Sequence, residues 1–328
     1  MCEIEYAGPF RSDLKSHIEL KQAIGCKYVT EAKHLKRFDH FTMEKYPFAT
    51  RLTKEIVLDW CSKQPHEAQA NQNTRASALR QFSKYLDVMG RNPYVLPKGF
   101  YPKEQQYVPY IFSMEELLHF FAQTDRCHFS SECPLRHLVM PVLFRMIYLC
   151  GLRVSEARLL KVGDVDLFSG VLSIHHSKKD NSRLVSMSGS LVKRCGEYSS
   201  KVHASSKEDD YYFPAPGGKP MTNTNVYHNF RRFLWSAGIS HRGRGMGPRI
   251  YDFRHTYAVH CLKRWTEQGR DLAVYLPILS TYMGHDSFQD TAYYLRLTAD
   301  VFPDITFKLQ NRYPDVIPEP EGDICETD

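Results

Sequence analysis

The chain is 328 residues long and 42% hydrophobic, enough to bury the cores of two globular domains. It shows neither an apolar leader segment nor an apolar run of about 18 residues, so neither secretion nor membrane insertion is expected. The net charge of +6 is modest only because residues 315–328 hold six acids and no Lys or Arg; residues 1–314 carry +12, a balance suited to a polyanionic partner.

The nine cysteines are odd in number and scattered, as expected of reduced thiols in a cytoplasmic protein. Cys127 and His128 with Cys133 and His137 match no common zinc spacing, and neither a metal nor another cofactor is expected. Residues 13–24, 27–43, 53–63 and 73–89 carry apolar positions at three- and four-residue steps, the period of amphipathic helices. On the fourth, Leu79, Phe82, Leu86 and Met89 share one face while Asn73, Ser77, Arg80 and Lys84 share the other. Together with Lys33, Lys36 and Arg37 on the second helix, Ser77, Arg80 and Lys84 make a candidate surface for DNA backbone contacts; a solvated outer face gives the same pattern. Residues 1–91 therefore read as a helical, DNA-binding domain.

From Asn92 to Pro109 the prolines 93, 97, 102 and 109 exclude helix and central strand, so 92–109 read as a linker. Ser113 then caps a new helix whose first turn holds Glu115 and Glu116, complementing the helix dipole. A catalytic domain is expected over 110–314. Within it, Pro134 to Cys150 is nearly all apolar in its later turns and reads as a buried central helix ended by Gly151; Glu156 opens the next. Short strands are expected at Val165–Leu167, Val171–His175 and Arg183–Ser188, the last two joined by a hairpin at Lys178-Lys179-Asp180-Asn181. Helices resume at Ser190–Val202, Asn223–Ala237, Tyr251–Gln268 and Leu272–Met283. The expected class is mostly α with a small antiparallel β-sheet. Residues 315–328 contain Pro318 and Pro320, lack periodicity and read as a disordered acidic tail.

A set of residues in this second domain points to phosphoryl transfer. Without a metal, such chemistry needs fixed cations on the non-bridging phosphate oxygens, and arginine supplies a planar fork that keeps its charge. Arg153 follows directly on an apolar helix, where a charge must be exposed or committed, and Arg254 is the second nominee. A leaving 5′ hydroxyl needs a proton, which Lys178 on the hairpin can deliver, with Lys179 its neighbour and rival. Tyr294 is the candidate nucleophile, with Tyr293 beside it as the alternative; His285 can donate to the phosphate or manage the phenolic proton.

These residues resemble the tyrosine recombinase, or phage integrase, family. Gly151-Leu152-Arg153-Val154-Ser155-Glu156-Ala157 resembles its first arginine box, and Arg254-His255-Thr256 its second. Gly284-His285, with eight residues before Tyr294, is similar to the nucleophile box, and Lys178, five residues before Arg183, to the hairpin lysine. One departure stands out: where the family usually has His, three residues before the second arginine, this chain has Tyr251, whose phenol can hydrogen-bond a phosphate but cannot act as a neutral-pH base. The resemblance implies a core-binding, SAM-like front domain and a site made of Arg153, Lys178, Tyr251, Arg254, His285 and Tyr294. It further implies a 3′-phosphotyrosine intermediate formed without ATP or metal, and a tetrameric synapse on double-stranded DNA that leaves room for an accessory DNA-bending or directionality protein. A segment such as Phe302–Tyr313 would be exchanged between neighbours or packed in cis. Two other functions stay open at this stage, a DNA-binding regulator that keeps the fold without its chemistry and a type IB topoisomerase.

Overall fold

The computed structural model describes residues 5–102, 107–175, 182–243, 247–285 and 288–302. The chain divides into two compact units, residues 1–107 and 108–328.

The first unit is built from α1 (Arg11–Ala23), α2 (Val29–Lys45), α3 (Lys54–Cys61) and α4 (Gln69–Val88). Leu14, Leu35, Phe38, Val57, Leu79 and Phe82 form its core, each essentially removed from water. The Thr53 side chain caps α3 by accepting from the Ile56 amide. The proline-rich stretch after α4 belongs in part to this unit. Leu96 is buried in its core, the Tyr94 amide donates to the Leu52 carbonyl at 2.8 Å, and the Arg80 guanidinium holds the Leu96 and Pro97 carbonyls at 2.8 and 3.1 Å. Prolines forbid regular structure here but not burial of the apolar side chains between them.

The second unit contains α5 (Met114–Asp125), α6 (Arg136–Leu149), α7 (Val154–Leu159), β1 (Val165–Asp166), β2 (Val171–Ile174), β3 (Arg183–Ser186), α8 (Gly189–Val202), α9 (Asn223–Ser236), α10 (Asp252–Glu267), α11 (Leu272–Met283) and α12 (Phe288–Val301). The strands form an antiparallel sheet in the order β1-β2-β3, with Val165 opposite Leu172 and Val171 opposite Ser186. Thus the expected mix of many helices and a small antiparallel sheet is what the chain forms. Ser113 and Glu116 make a reciprocal capping box at the start of α5. The apolar helix α6 is central, and around it Phe120, Phe144, Phe230 and Phe253 pack in edge-to-face and tilted pairs, with Phe120 and Phe144 ring centroids 5.4 Å apart. A separate apolar cluster joins α10, α11 and α12 through Val259, Leu262, Leu276, Leu279, Met283 and Leu295. No helix among the described residues is long and apolar enough to cross a membrane.

Two helix ends matter most for the site. Gly151 closes α6 at φ +58, where a Cβ would also lie 2.7 Å from the Tyr257 ring, and Gly284 closes α11 at φ +64. Glycine alone adopts that left-handed turn without strain, and the turn directs the last carbonyls of each helix outward.

Candidate active site

Helix C-termini end in carbonyls with no intrahelical partner and with partial negative charge, so they attract cations. Both nominated arginines hang from such ends. Arg254, in the first turn of α10, donates from Nη1 to the Gly151 carbonyl at 2.6 Å and from Nη2 to the Met283 carbonyl. Arg153, at the N-cap of α7, donates from Nη2 to the very next carbonyl, that of Gly284, at 2.8 Å. Adjacent peptide units at the end of α11 therefore hold both guanidinium groups. Arg254 is 0% exposed, and its Nε finds no hydrogen-bond partner among the described residues. Burial first, and then the charge of Arg153, pull its pKa below the ordinary arginine value. An oxyanion placed between the two guanidiniums would relieve both the repulsion and the orphaned donor.

A carboxylate steadies this arrangement from one side. Glu156 accepts from Arg153 Nη1 at 2.7 Å and from the Arg153 amide at 2.9 Å, and it receives a bidentate pair from Arg183 at 2.9 and 2.8 Å. Burial works against its charge, but Arg183 and then Arg153 outweigh burial and bring the carboxyl down to about 2. Arg183 also donates from Nε to the Tyr282 carbonyl at 2.8 Å, so β3, α7 and the end of α11 meet at one ion network. In sequence Glu156 shows only as a helix opener and Arg183 only as the start of a strand beyond the hairpin. Their signal was present in the charge types but not in the spacing, because they lie 27 residues apart.

Tyr294 lies on α12 with its ring in the apolar cluster, 3% exposed, while its hydroxyl is 3.1 Å from His255 Nδ1. Burial raises the phenol above its ordinary pKa, partly opposed by Arg254. The neighbouring Tyr293 is 38% exposed, with its ring centroid 5.9 Å from that of Tyr294. His285 stacks against the Tyr294 ring at 5.7 Å, and its Nδ1 pairs with Thr291 Oγ1 at 2.7 Å. Burial, followed by Arg254, lowers His285 to about 4, so the ring is neutral at neutral pH. Tyr251 is 43% exposed and faces the Arg153 guanidinium, whose charge it helps hold. The structure thus brings Arg153, Tyr251, Arg254, His285 and Tyr294 together, and adds His255. Lys178 and Lys179 lie outside the described residues.

The nominated basic face of the first unit divides. Lys33, Arg37, Ser77 and Lys84 are exposed. Lys36 donates to the Glu5 carbonyl and pairs with Asp39 at 3.6 Å, and Arg80 is engaged with the carbonyls of Leu96 and Pro97, so these two act inside the unit. Among the described residues no three His, Cys, Asp or Glu side chains gather as metal ligands, at Cys127 to His137 or elsewhere.

The model of the phage integrase family matches residues 112–300. The chain is 28% identical to a putative integrase/recombinase of Sinorhizobium fredii, y4rB, over 93% of this chain and 98% of that one. It is 26% identical to the tyrosine recombinase XerC of Chlamydia trachomatis over 72% and 69% of the two chains. In fold it is similar to the XerH site-specific recombinase bound to palindromic difH substrate in a post-cleavage complex, with a TM-score of 0.66 at 18% identity, covering 89% and 82% of the chains. It is also similar in fold to a lambda integrase dimer bound to a COC′ core site, with a TM-score of 0.60 at 15% identity, covering 84% and 95%. With two guanidiniums suspended beside a buried phenol and the family match running across that whole site, the chain belongs to the phage integrase family, the tyrosine-type site-specific recombinases.

Proposed function

We propose that this chain is a recombinase of the integrase or transposase kind that cleaves and rejoins DNA strands through a 3′-phosphotyrosine on Tyr294, with neither ATP nor a divalent metal. The observation that carries the reading is the suspension of Arg153 and Arg254 from the successive carbonyls of Gly284 and Met283, next to the Tyr294 phenol. Guanidiniums fixed this way need no reorganisation when charge builds on the non-bridging oxygens, which is where electrostatic catalysis gains most. Tyr294 Oη bonds to phosphorus as the bond to the 5′ oxygen breaks, and Lys178 gives that oxygen its proton. Because the phosphotyrosine keeps the energy of the broken diester, a partner strand's 5′ hydroxyl can reverse the step.

Double-stranded DNA is the substrate, as in the relatives whose structures hold a difH or a core site. Lys33, Arg37, Ser77 and Lys84 would meet its backbone, with Lys36 and Arg80 supporting them from inside the unit. The exchange requires four protomers in a synapse in the cytoplasm, with the segment Phe302–Tyr313, which lies outside the described residues after Phe302, passing to a neighbour or packing in cis. Tyr251 in place of the family histidine favours one other reading, a DNA-binding protein without strand chemistry. A nicked suicide duplex separates the two. Wild type should form a covalent adduct on it, Tyr294→Phe none, and Tyr293→Phe the adduct as before. Specific binding with no adduct would select the second reading, and an adduct lost only in Tyr293→Phe would move the nucleophile by one residue.

A further inference from the structure

Helix α10 brings a second side chain to the phenol. His255 follows Arg254, and its ring centroid lies 5.5 Å from that of Tyr294 with Nδ1 at 3.1 Å from the hydroxyl. Tyr251, one helical turn earlier, packs edge-on against His255 at 4.9 Å. The position expected to carry an imidazole therefore holds a phenol, while an imidazole one turn further along the same helix touches the candidate nucleophile.

Building on the reading of Tyr294 as nucleophile, we propose that His255 is a catalytic residue, the acceptor of the Tyr294 phenolic proton, replacing in this chain the base that Tyr251 cannot be. The hydrogen bond has the geometry such a transfer needs before any motion. Burial, then Arg254 and His285, hold His255 down to about 4, so at neutral pH the ring is neutral; with its proton on Nε2, the Nδ1 lone pair faces the phenol. His285 is placed differently, because it lies stacked on the phenol ring with an interplanar angle of 22° and spends Nδ1 on Thr291.

In the step, Tyr294 Oη bonds to phosphorus, the bond to the 5′ oxygen breaks, and the phenolic proton passes to His255 Nδ1. The leaving oxygen takes a proton from the Lys178 ammonium, so His255 ends as imidazolium and Lys178 as amine; the return attack reverses both transfers. A weakly basic imidazole serves here because the phenol becomes far more acidic as its oxygen bonds to phosphorus. The entering phosphodiester anion also offsets the positive charge that suppresses the imidazole. Besides burial, the groups that set the titration of His255 are Arg254 beside it on α10 and His285 after α11, and the Tyr251 ring before α10 and the Tyr294 phenol on α12 face it.

The test uses the full chain and a nicked duplex whose sequence is selected from a randomised library by covalent capture on the wild type. The scissile phosphate is made with either oxygen or sulfur at the bridging 5′ position. A thiolate leaves without a proton, so a defect in leaving-group protonation disappears on the sulfur duplex and a defect in nucleophile activation persists. His255→Ala and His255→Asn are expected to bind the duplex as wild type does, to form the adduct about 100-fold more slowly on both duplexes, and to lose the acidic limb of the pH–rate profile. Asparagine keeps an acceptor near the Nδ1 position but takes no proton, so wild-type rate in His255→Asn would overturn the proposal in favour of simple orientation. Recovery of His255→Ala on the sulfur duplex would overturn it by assigning His255 to the leaving group. Absence of any Tyr294 adduct from the wild type would instead bring down the reading underneath, whatever the variants do.

Discussion

At position 251 a phenol occupies the place of an imidazole, and the structure shows what it still does. Its side chain faces Arg153 and packs against His255, so it orients two members of the site. Tyr251→Phe keeps the ring packing and removes the hydroxyl that supports the Arg153 charge. Polar support of a charged group contributes about 1.5 kcal/mol, so adduct formation in single turnover should slow about tenfold. An unchanged rate would mean that Arg153 is held by Glu156 and Gly284 alone. Arg153, Arg254, His285 and Tyr294 were legible because each sits in a motif of fixed spacing. His255 stands in the same motif but shows no role in sequence, since its bond to Tyr294 spans 39 residues and exists only through the packing of α10 on α12. Lys36 and Arg80 looked like surface charge for the converse reason: no periodicity reveals that the carbonyls of Glu5, Leu96 and Pro97 lie beside them.

The elements of the second unit are tied together at Glu156. Its side chain is 3% exposed and bonds two guanidiniums, one on β3 and one at the start of α7. Removing one member of a buried ion network leaves the others uncompensated, at a cost of about 3 kcal/mol. Glu156→Gln should therefore lower the urea midpoint of the second unit and, by freeing Arg153, slow adduct formation; a variant of full stability would show that Arg183 finds a replacement partner. Most element boundaries could be read from the chain. Helix α9 starts at Asn223, α11 spans Leu272–Met283 and α5 starts behind its Ser113 cap, because capping residues and glycine stops mark them locally. α4 begins at Gln69, earlier than expected, because its first turn is polar and shows no apolar period. α12 is a helix beyond those expected, and its apolar face becomes evident only against α10 and α11.

Across the whole molecule, buried and half-buried histidines shape the response to acid. His255, His260 and His285 in the second unit and His17 in the first are each lowered to about 4, burial being the leading cause in every case. A histidine with a depressed folded pKa stabilises the fold fully above its ordinary value of about 6.5, and that contribution is lost as pH falls toward 4. Each is worth on the order of 2 kcal/mol, and the second unit holds more of them among the described residues. Between pH 7 and pH 5 the second unit should lose more stability than the first, which hydrogen exchange at the two pH values resolves unit by unit. Equal losses would show that water reaches these rings. Below about pH 4.5 Glu156 adds a further loss, since its carboxyl is held down to about 2 and its contribution disappears as pH drops toward that value.

The turn that closes α11 gives the clamp its manner of failing. Because the carbonyls of Met283 and Gly284 are neighbours on one short stretch of backbone, rotating that turn would take one anchor from each guanidinium together, leaving Arg254 on Gly151 and Arg153 on Glu156. A displacement at residue 285 would therefore reach both arginines of the candidate site at once.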